Sequence, residues 1–173
     1  YLLCYFFRIL EYFILRTDQT WVGEAIVHKV IGIFILFAVS AGAKLTITQI
    51  GFGKEKVFCN LLKGLAFGCA VFVLAYSVEI AIAAMQGSFH SLQLYVSTYA
   101  INQNTGYRTE ILFFLICIIG NLVNVVMEEG IFRGFFQKLL EQKYSFMVSA
   151  VIASCLFGFW HMIGPIRNYA DGT

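Results

Sequence analysis

The sequence predicts an all-α protein, a polytopic bundle of transmembrane helices with five to six hydrophobic helices in this chain. Three observations carry the prediction. Of the 173 residues, 60% are hydrophobic and only 13% charged, and mean hydropathy is +0.78; soluble domains lie nearer half apolar and about a quarter charged. Several apolar runs approach the roughly 20 residues that a bilayer crossing needs. Short polar turns separate them, so a single soluble core could not hide them all. The chain reads as one transmembrane helical domain over residues 1–173, with a motif-bearing core at 110–165.

The first run, Tyr1 to Leu15, contains Arg8 and Glu11 and reads as a truncated or interfacial span, followed by the polar turn Arg16-Thr17-Asp18-Gln19-Thr20. Trp21 suits an interfacial anchor, and a second span is predicted from Val22 to Ala41. Lys44, Lys54, Lys56 and Lys63 then face the single acid Glu55 in a loop. A third span runs from Leu62 to Met85. The segment from Gln86 to Thr109 is rich in Ser, Gln, Thr and Asn. A fourth apolar run begins at Ile111 and reaches Glu141 without a proline. The last span runs from Ser145 to Ile163 and is closed by Gly164-Pro165. Lysine bias puts the Lys44–Lys63 loop and the Lys138–Tyr144 turn on the cytoplasmic side.

A helix from Glu110 to Gln142 would be about 50 Å long at ~1.5 Å per residue, well over a ~30 Å hydrocarbon core. A bend near Gly120-Asn121 and a helix end before Glu128 are the two ways the sequence offers to shorten it.

A net charge of +2 with no basic stripe excludes nucleic acid as a partner. The five cysteines are scattered and show no metal-type spacing, which suits small packing residues. Glu24 and His28, four apart, read as an interfacial pair; His90 reads as solvated, and Glu79 as a structural or interfacial acid.

The chemistry gathers at Glu128-Glu129-Gly130-Ile131-Phe132-Arg133. Ionised groups in hydrocarbon cost on the order of 2.5–3.5 kcal/mol each even on lenient insertion scales, so a retained cluster is better explained by use than by tolerance. Glu129 and Arg133 are four apart and can pair. Glu128 is rotated about 100° from Glu129 and aligns instead with Asn124 and Asn121. A turn at Tyr144-Ser145 makes Glu128 and His161 nearly equidistant from it, so an antiparallel hairpin brings them to one depth. Phe157 shares a face with His161. A carboxylate and an imidazole around an intramembrane water suit hydrolysis: one takes the proton of the attacking water, the other orients it, protonates the leaving amine or stabilises the oxyanion.

Glu-Glu-x-x-x-Arg from Glu128 to Arg133, followed by Phe-x-x-x-His from Phe157 to His161, resembles the CAAX-protease and bacteriocin-processing family of intramembrane endopeptidases, related to the prenyl-protein CAAX endopeptidases. The resemblance covers residues 110–165. It implies that Glu128 activates water with His161 assisting, that Glu129 and Arg133 shape the site, and that Asn124, Asn121 and Phe157 line it. It implies a hydrophobic or prenylated peptide substrate and a multi-pass protein of a bacterial plasma membrane. The family's later polar positions, a His or Asn set on a further helix, have no counterpart before Thr173, so the C-terminal part of the family fold is expected to be missing and the chain to be a fragment.

No HExxH motif occurs, and a metal-independent glutamate mechanism without cofactor is expected; a divalent metal is the alternative within the enzyme class. Two other classes compete: a non-catalytic membrane protein of the same fold acting in peptide immunity or as a scaffold, and a proton-coupled transporter using Glu79 and Glu128 as relay acids.

Overall fold

A computed structural model describes residues 1–20, 25–92, 96–97 and 107–172. The anchor expected at Trp21, the start of the second span and the Glu24 half of the Glu24–His28 pair fall outside the described residues. Outside the turns and loops at 43–56 and 86–92 the described chain is mainly helical, with one antiparallel pair of two-residue strands, β1 (Val96–Ser97) and β2 (Tyr107–Arg108). Among the described residues three helices are long and apolar enough to cross a membrane: Val57–Met85, Ile111–Glu141 and Phe146–Asp171.

Two compact units are present, and each is described by itself. One comprises residues Gly53–Leu94; the other comprises Tyr1–Phe52 with Tyr95–Thr173. The first carries α3 (Val57–Met85), an apolar 29-residue helix with no buried residue, on which Glu79 is exposed. Such a surface suits a span in hydrocarbon, where an exposed apolar side chain has no water to avoid.

The second unit begins with α1 (Leu2–Leu10), continued by a π-helical turn at Glu11–Leu15. Arg16 ends it in the left-handed conformation, and the polar turn predicted after it is a short 3₁₀ helix at Thr17–Gln19. The 16-residue α2 (Val27–Gly42) follows. The long helix then comprises α4 (Ile111–Glu129), a π-helical segment at Gly130–Phe136, and α5 (Gln137–Glu141). Neither a bend at Gly120-Asn121 nor a helix end before Glu128 occurs as a break. The sequence difficulty over length is met by one long helix whose hydrogen bonding changes register immediately after the two glutamates.

That π segment serves packing. A methyl group on Gly130 would meet the Leu36 side chain, and one on Gly134 would meet the Ile50 carbonyl oxygen. Gly32 on α2 likewise leaves room for Met127. Close backbone approach through small residues is how helices associate where lipid removes the hydrophobic drive between them. The resulting core contains Cys4, Leu36, Met127, Ile131, Phe132 and Trp160, drawn from α1, α2, the long helix and the helix that follows it.

The last hairpin turns at Gln142–Ser145 into α6 (Phe146–His161) and α7 (Ile163–Asp171). Gly164-Pro165 does not close the final span as expected. After a single irregular residue, Met162, the chain continues helically with Pro165 in the first turn of α7, where a proline's missing N–H leaves no internal bond unmade.

Candidate active site

Glu128 is held inside the second unit, only 7% exposed. Its Oε2 accepts a hydrogen bond from Asn124 Nδ2 at 3.1 Å, one turn back on the same helix. Its Oε1 accepts one from the indole N–H of Trp160 at 2.9 Å, across the hairpin. Arg8 Nη1 lies 3.6 Å from Oε1 and His161 Nε2 lies 3.9 Å from it. The hairpin register expected from the sequence is therefore the register found: two residues 33 positions apart meet at one depth because the turn falls midway between them.

Phe157 and His161 share a face of α6 and meet edge-to-face with ring centroids 4.4 Å apart. His161 Nδ1 lies 3.0 Å from the Phe157 carbonyl oxygen. A carbonyl only accepts, so Nδ1 donates its proton there, and the neutral ring keeps a lone pair on Nε2, the atom nearest Glu128. The His161 side chain is half exposed. A buried carboxylate thus lies beside a half-exposed imidazole.

Glu129 lies on another face. It pairs with Arg133 at 3.1 Å, both side chains about half exposed. The Arg133 guanidinium in turn sits over the Phe157 ring, 4.8 Å from its centroid. Glu129 and Arg133 thus reach His161 through Phe157 rather than through Glu128. They also border a cleft of about 230 Å³ whose other walls include Ile50, Phe52, Gly134 and Lys138.

Asn121 departs from the expected stripe. It is exposed and donates to the Cys117 carbonyl oxygen of its own helix at 2.8 Å, so only Asn124 of the two asparagines touches Glu128. Seven residues along a helix, about 10 Å at ~1.5 Å each, is too far for a short amide to span. Among the described residues no group of three or more His, Cys, Asp and Glu side chains gathers as a metal site would require.

Sequence reasoning did not assign Trp160 or Arg8 to the site. Trp160 is 1% exposed, and a buried indole N–H needs an acceptor, which could have pointed to Glu128. Arg8 is 5% exposed and lies between the rings of Trp160 and Tyr12, with its guanidinium carbon 4.4 and 4.9 Å from their centroids. Its Nη2 donates to the Tyr12 hydroxyl at 3.4 Å. Arg8 and Glu11 break an apolar run just as Glu128 does, and the same demand for buried partners applies to them.

Arg8 also meets His28, whose Nε2 lies 3.5 Å from Nη1, the same nitrogen that faces Glu128. His28 pairs with Glu11, its Nδ1 2.6 Å from Oε2, and both side chains are fully buried. Glu11 also accepts from the backbone N–H groups of Val27 and His28 and from the Thr17 hydroxyl. It thereby caps α2 from another segment, with a carboxylate at a helix N-terminus.

Residues 110–170 match the model of a family described as Rce1-like, type II CAAX prenyl endopeptidase Rce1-like. This is the family that the two motifs resemble, and the matched segment contains Asn121, Asn124, Glu128, Glu129, Arg133, Phe157 and His161. Arg8, Glu11 and His28 lie before it. No curated protein matches the chain, and no solved structure does.

Proposed function

We propose that this protein is an intramembrane endopeptidase of the CAAX type, in which Glu128 activates a water that hydrolyses a peptide bond. The observation that carries the reading is the 3.9 Å approach of Glu128 Oε1 and His161 Nε2, with the histidine proton held on the opposite nitrogen. Two acceptors at that separation suit one shared water, which can donate to each at about 2.8 Å.

Glu128 takes one proton as the water oxygen attacks the carbonyl carbon, forming a tetrahedral oxyanion. Collapse of that intermediate breaks the C–N bond, and the proton held by the carboxyl passes to the leaving amine. His161 orients the water through Nε2 and, when it receives a proton, can donate it to the oxyanion or the amine. Phe157 fixes the imidazole by an edge-to-face ring contact and by accepting its Nδ1–H on the backbone carbonyl. Arg133 holds Phe157 from the other side, paired with Glu129.

The substrates are hydrophobic, lipidated or membrane-associated peptides, among which prenylated peptides fit the matched family. The half-exposed His161 gives them a lateral approach from the bilayer. The membrane is proposed to be a bacterial plasma membrane. The mechanism uses no cofactor, so turnover should survive prolonged chelation; loss restored by added zinc would put a metal in the reaction. A second reading, a non-catalytic protein in peptide immunity or scaffolding, is favoured by the saturation of Glu128 with Trp160, Asn124 and Arg8, as a structural anion would be.

Purified protein in proteoliposomes, incubated with a prenylated peptide and its unprenylated counterpart, separates the readings by mass spectrometry of the products. Cleavage that favours the prenylated peptide and falls at least about 100-fold in Glu128→Ala and His161→Ala supports the enzyme. Full turnover in Glu128→Ala refutes the mechanism.

A further inference from the structure

We infer that Arg8 is a positioning residue for Glu128, set in place by the Glu11–His28 pair through a relay that runs from the N-terminal cap of α2 to the hydrolytic carboxylate. The inference rests on the proposed role of Glu128 and extends the site to a segment more than 100 residues away in sequence.

The relay has a direction, and hydrogen-bond chemistry fixes it. An arginine N–H only donates, so His28 Nε2, facing Arg8 Nη1 at 3.5 Å, is the bare acceptor. The His28 proton is therefore on Nδ1, where it bonds Glu11 Oε2 at 2.6 Å. Glu11 in turn is anchored by the backbone N–H groups of Val27 and His28 and by the Thr17 hydroxyl. A fixed carboxylate thus fixes an imidazole tautomer, and the imidazole holds Nη1, the guanidinium nitrogen that also faces Glu128.

The remaining freedom of Arg8 is removed by its flanks. Trp160 and Tyr12 present their rings to the guanidinium, and Tyr12 also accepts from Nη2. What Arg8 offers in return is Nη1, directed at Glu128 Oε1 at 3.6 Å. Trp160 donates to that same oxygen at 2.9 Å. One oxygen of the carboxylate is thereby gripped by residues from α1 and α6 together, and it is the oxygen that faces His161 Nε2. Arg8 is 5% exposed and cannot itself reach a substrate entering beside His161. It acts through Glu128 alone.

A planar fork that serves His28, Glu128 and Tyr12 at once is not reproduced by an ammonium. Arg8→Lys keeps the charge and loses the fork; Arg8→Gln loses both. With the prenylated peptide in proteoliposomes, and rates normalised to folded protein, the expected order of kcat is parent above Arg8→Lys above Arg8→Gln. The glutamine variant should lie about 100-fold below the parent and the lysine variant in between, with KM unchanged in both because substrate does not touch Arg8.

Parental kcat in folded Arg8→Gln overturns the inference. If that variant does not fold, parental kcat in Arg8→Lys overturns it instead. A purely structural role would lower the yield and melting temperature of both variants without the graded fall in kcat. Glu128→Gln is measured alongside. Turnover there overturns the underlying hydrolytic reading, whereas an inactive Glu128→Gln beside fully active Arg8 variants overturns this inference alone.

Discussion

Trp160→Phe separates the two halves of the Glu128 grip with little change of shape. The phenyl ring keeps most of the apolar contact with Phe132 and Tyr5, whose rings lie 5.9 and 6.3 Å from the indole. It removes the one N–H that binds α6 to the carboxylate, at 2.9 Å and in a site where both partners are buried. A hydrogen bond to a charged group contributes about 1.5–3 kcal/mol. A weaker cation–π contact with Arg8 adds on the order of 0.5–2 kcal/mol, part of which a phenyl ring retains. The substitution alone should lower unfolding stability by about 2–4 kcal/mol. A double-mutant cycle with Glu128→Leu isolates the bond, because leucine fills similar space and accepts nothing. Unfolding in detergent micelles, followed by circular dichroism at the helix band, should give a coupling energy of about 1.5–3 kcal/mol. Additivity within about 0.5 kcal/mol would show that Trp160 merely packs beside Glu128, and the reasoning about the site would fail.

Three further outcomes follow from the packing and the ion pairs of the second unit. Gly134→Ala should destabilise by about 1–3 kcal/mol, since the added methyl meets the Ile50 backbone rather than a yielding side chain. Gly158→Ala, with open space around it, should be neutral or stabilise α6 by up to about 1 kcal/mol; thermal unfolding of the pair checks both signs. Arg167 Nη1 and Asp18 Oδ2 form a pair at 2.5 Å with side chains 12% and 9% exposed, joining the turn after α1 to α7. Asp18→Ala should lower stability by about 3 kcal/mol, read as a fall in melting temperature that added salt does not mimic in the parent.

The parts of this site that were legible in the sequence share one property: they depend on periodicity along a continuous helix or across one tight hairpin. Asn124 and Glu128, Glu129 and Arg133, and Phe157 and His161 are each four apart, and each pair makes contact. The depth match of Glu128 and His161 needed only the turn at Tyr144-Ser145. Asn121 shows where periodicity stops being enough, because a shared face over two turns does not give contact.

Residues Arg8, Glu11 and His28 were out of reach for a different reason. Their partners depend on how α1 and α2 pack against the long helix, and the close approach of α2 relies on Gly32 and Gly130 leaving room for Met127 and Leu36. Nothing local to Arg8 encodes it. His28 illustrates the consequence: its buried ring pairs with Glu11 on another segment of the fold. Gly164-Pro165 misled in the opposite sense, since a proline in a first helical turn marks a beginning as readily as an end.

The central claim is that Glu128 delivers a water to a peptide bond, and a single-turnover cleavage in H₂¹⁸O tests it most directly. With enzyme in excess over a prenylated peptide, the parent protein should place one ¹⁸O in the new carboxylate of the product at the first turnover. Folded Glu128→Gln should yield no product on the same timescale. Cleavage by Glu128→Gln at the parental rate, or a product whose new carboxylate carries no ¹⁸O, would contradict the account.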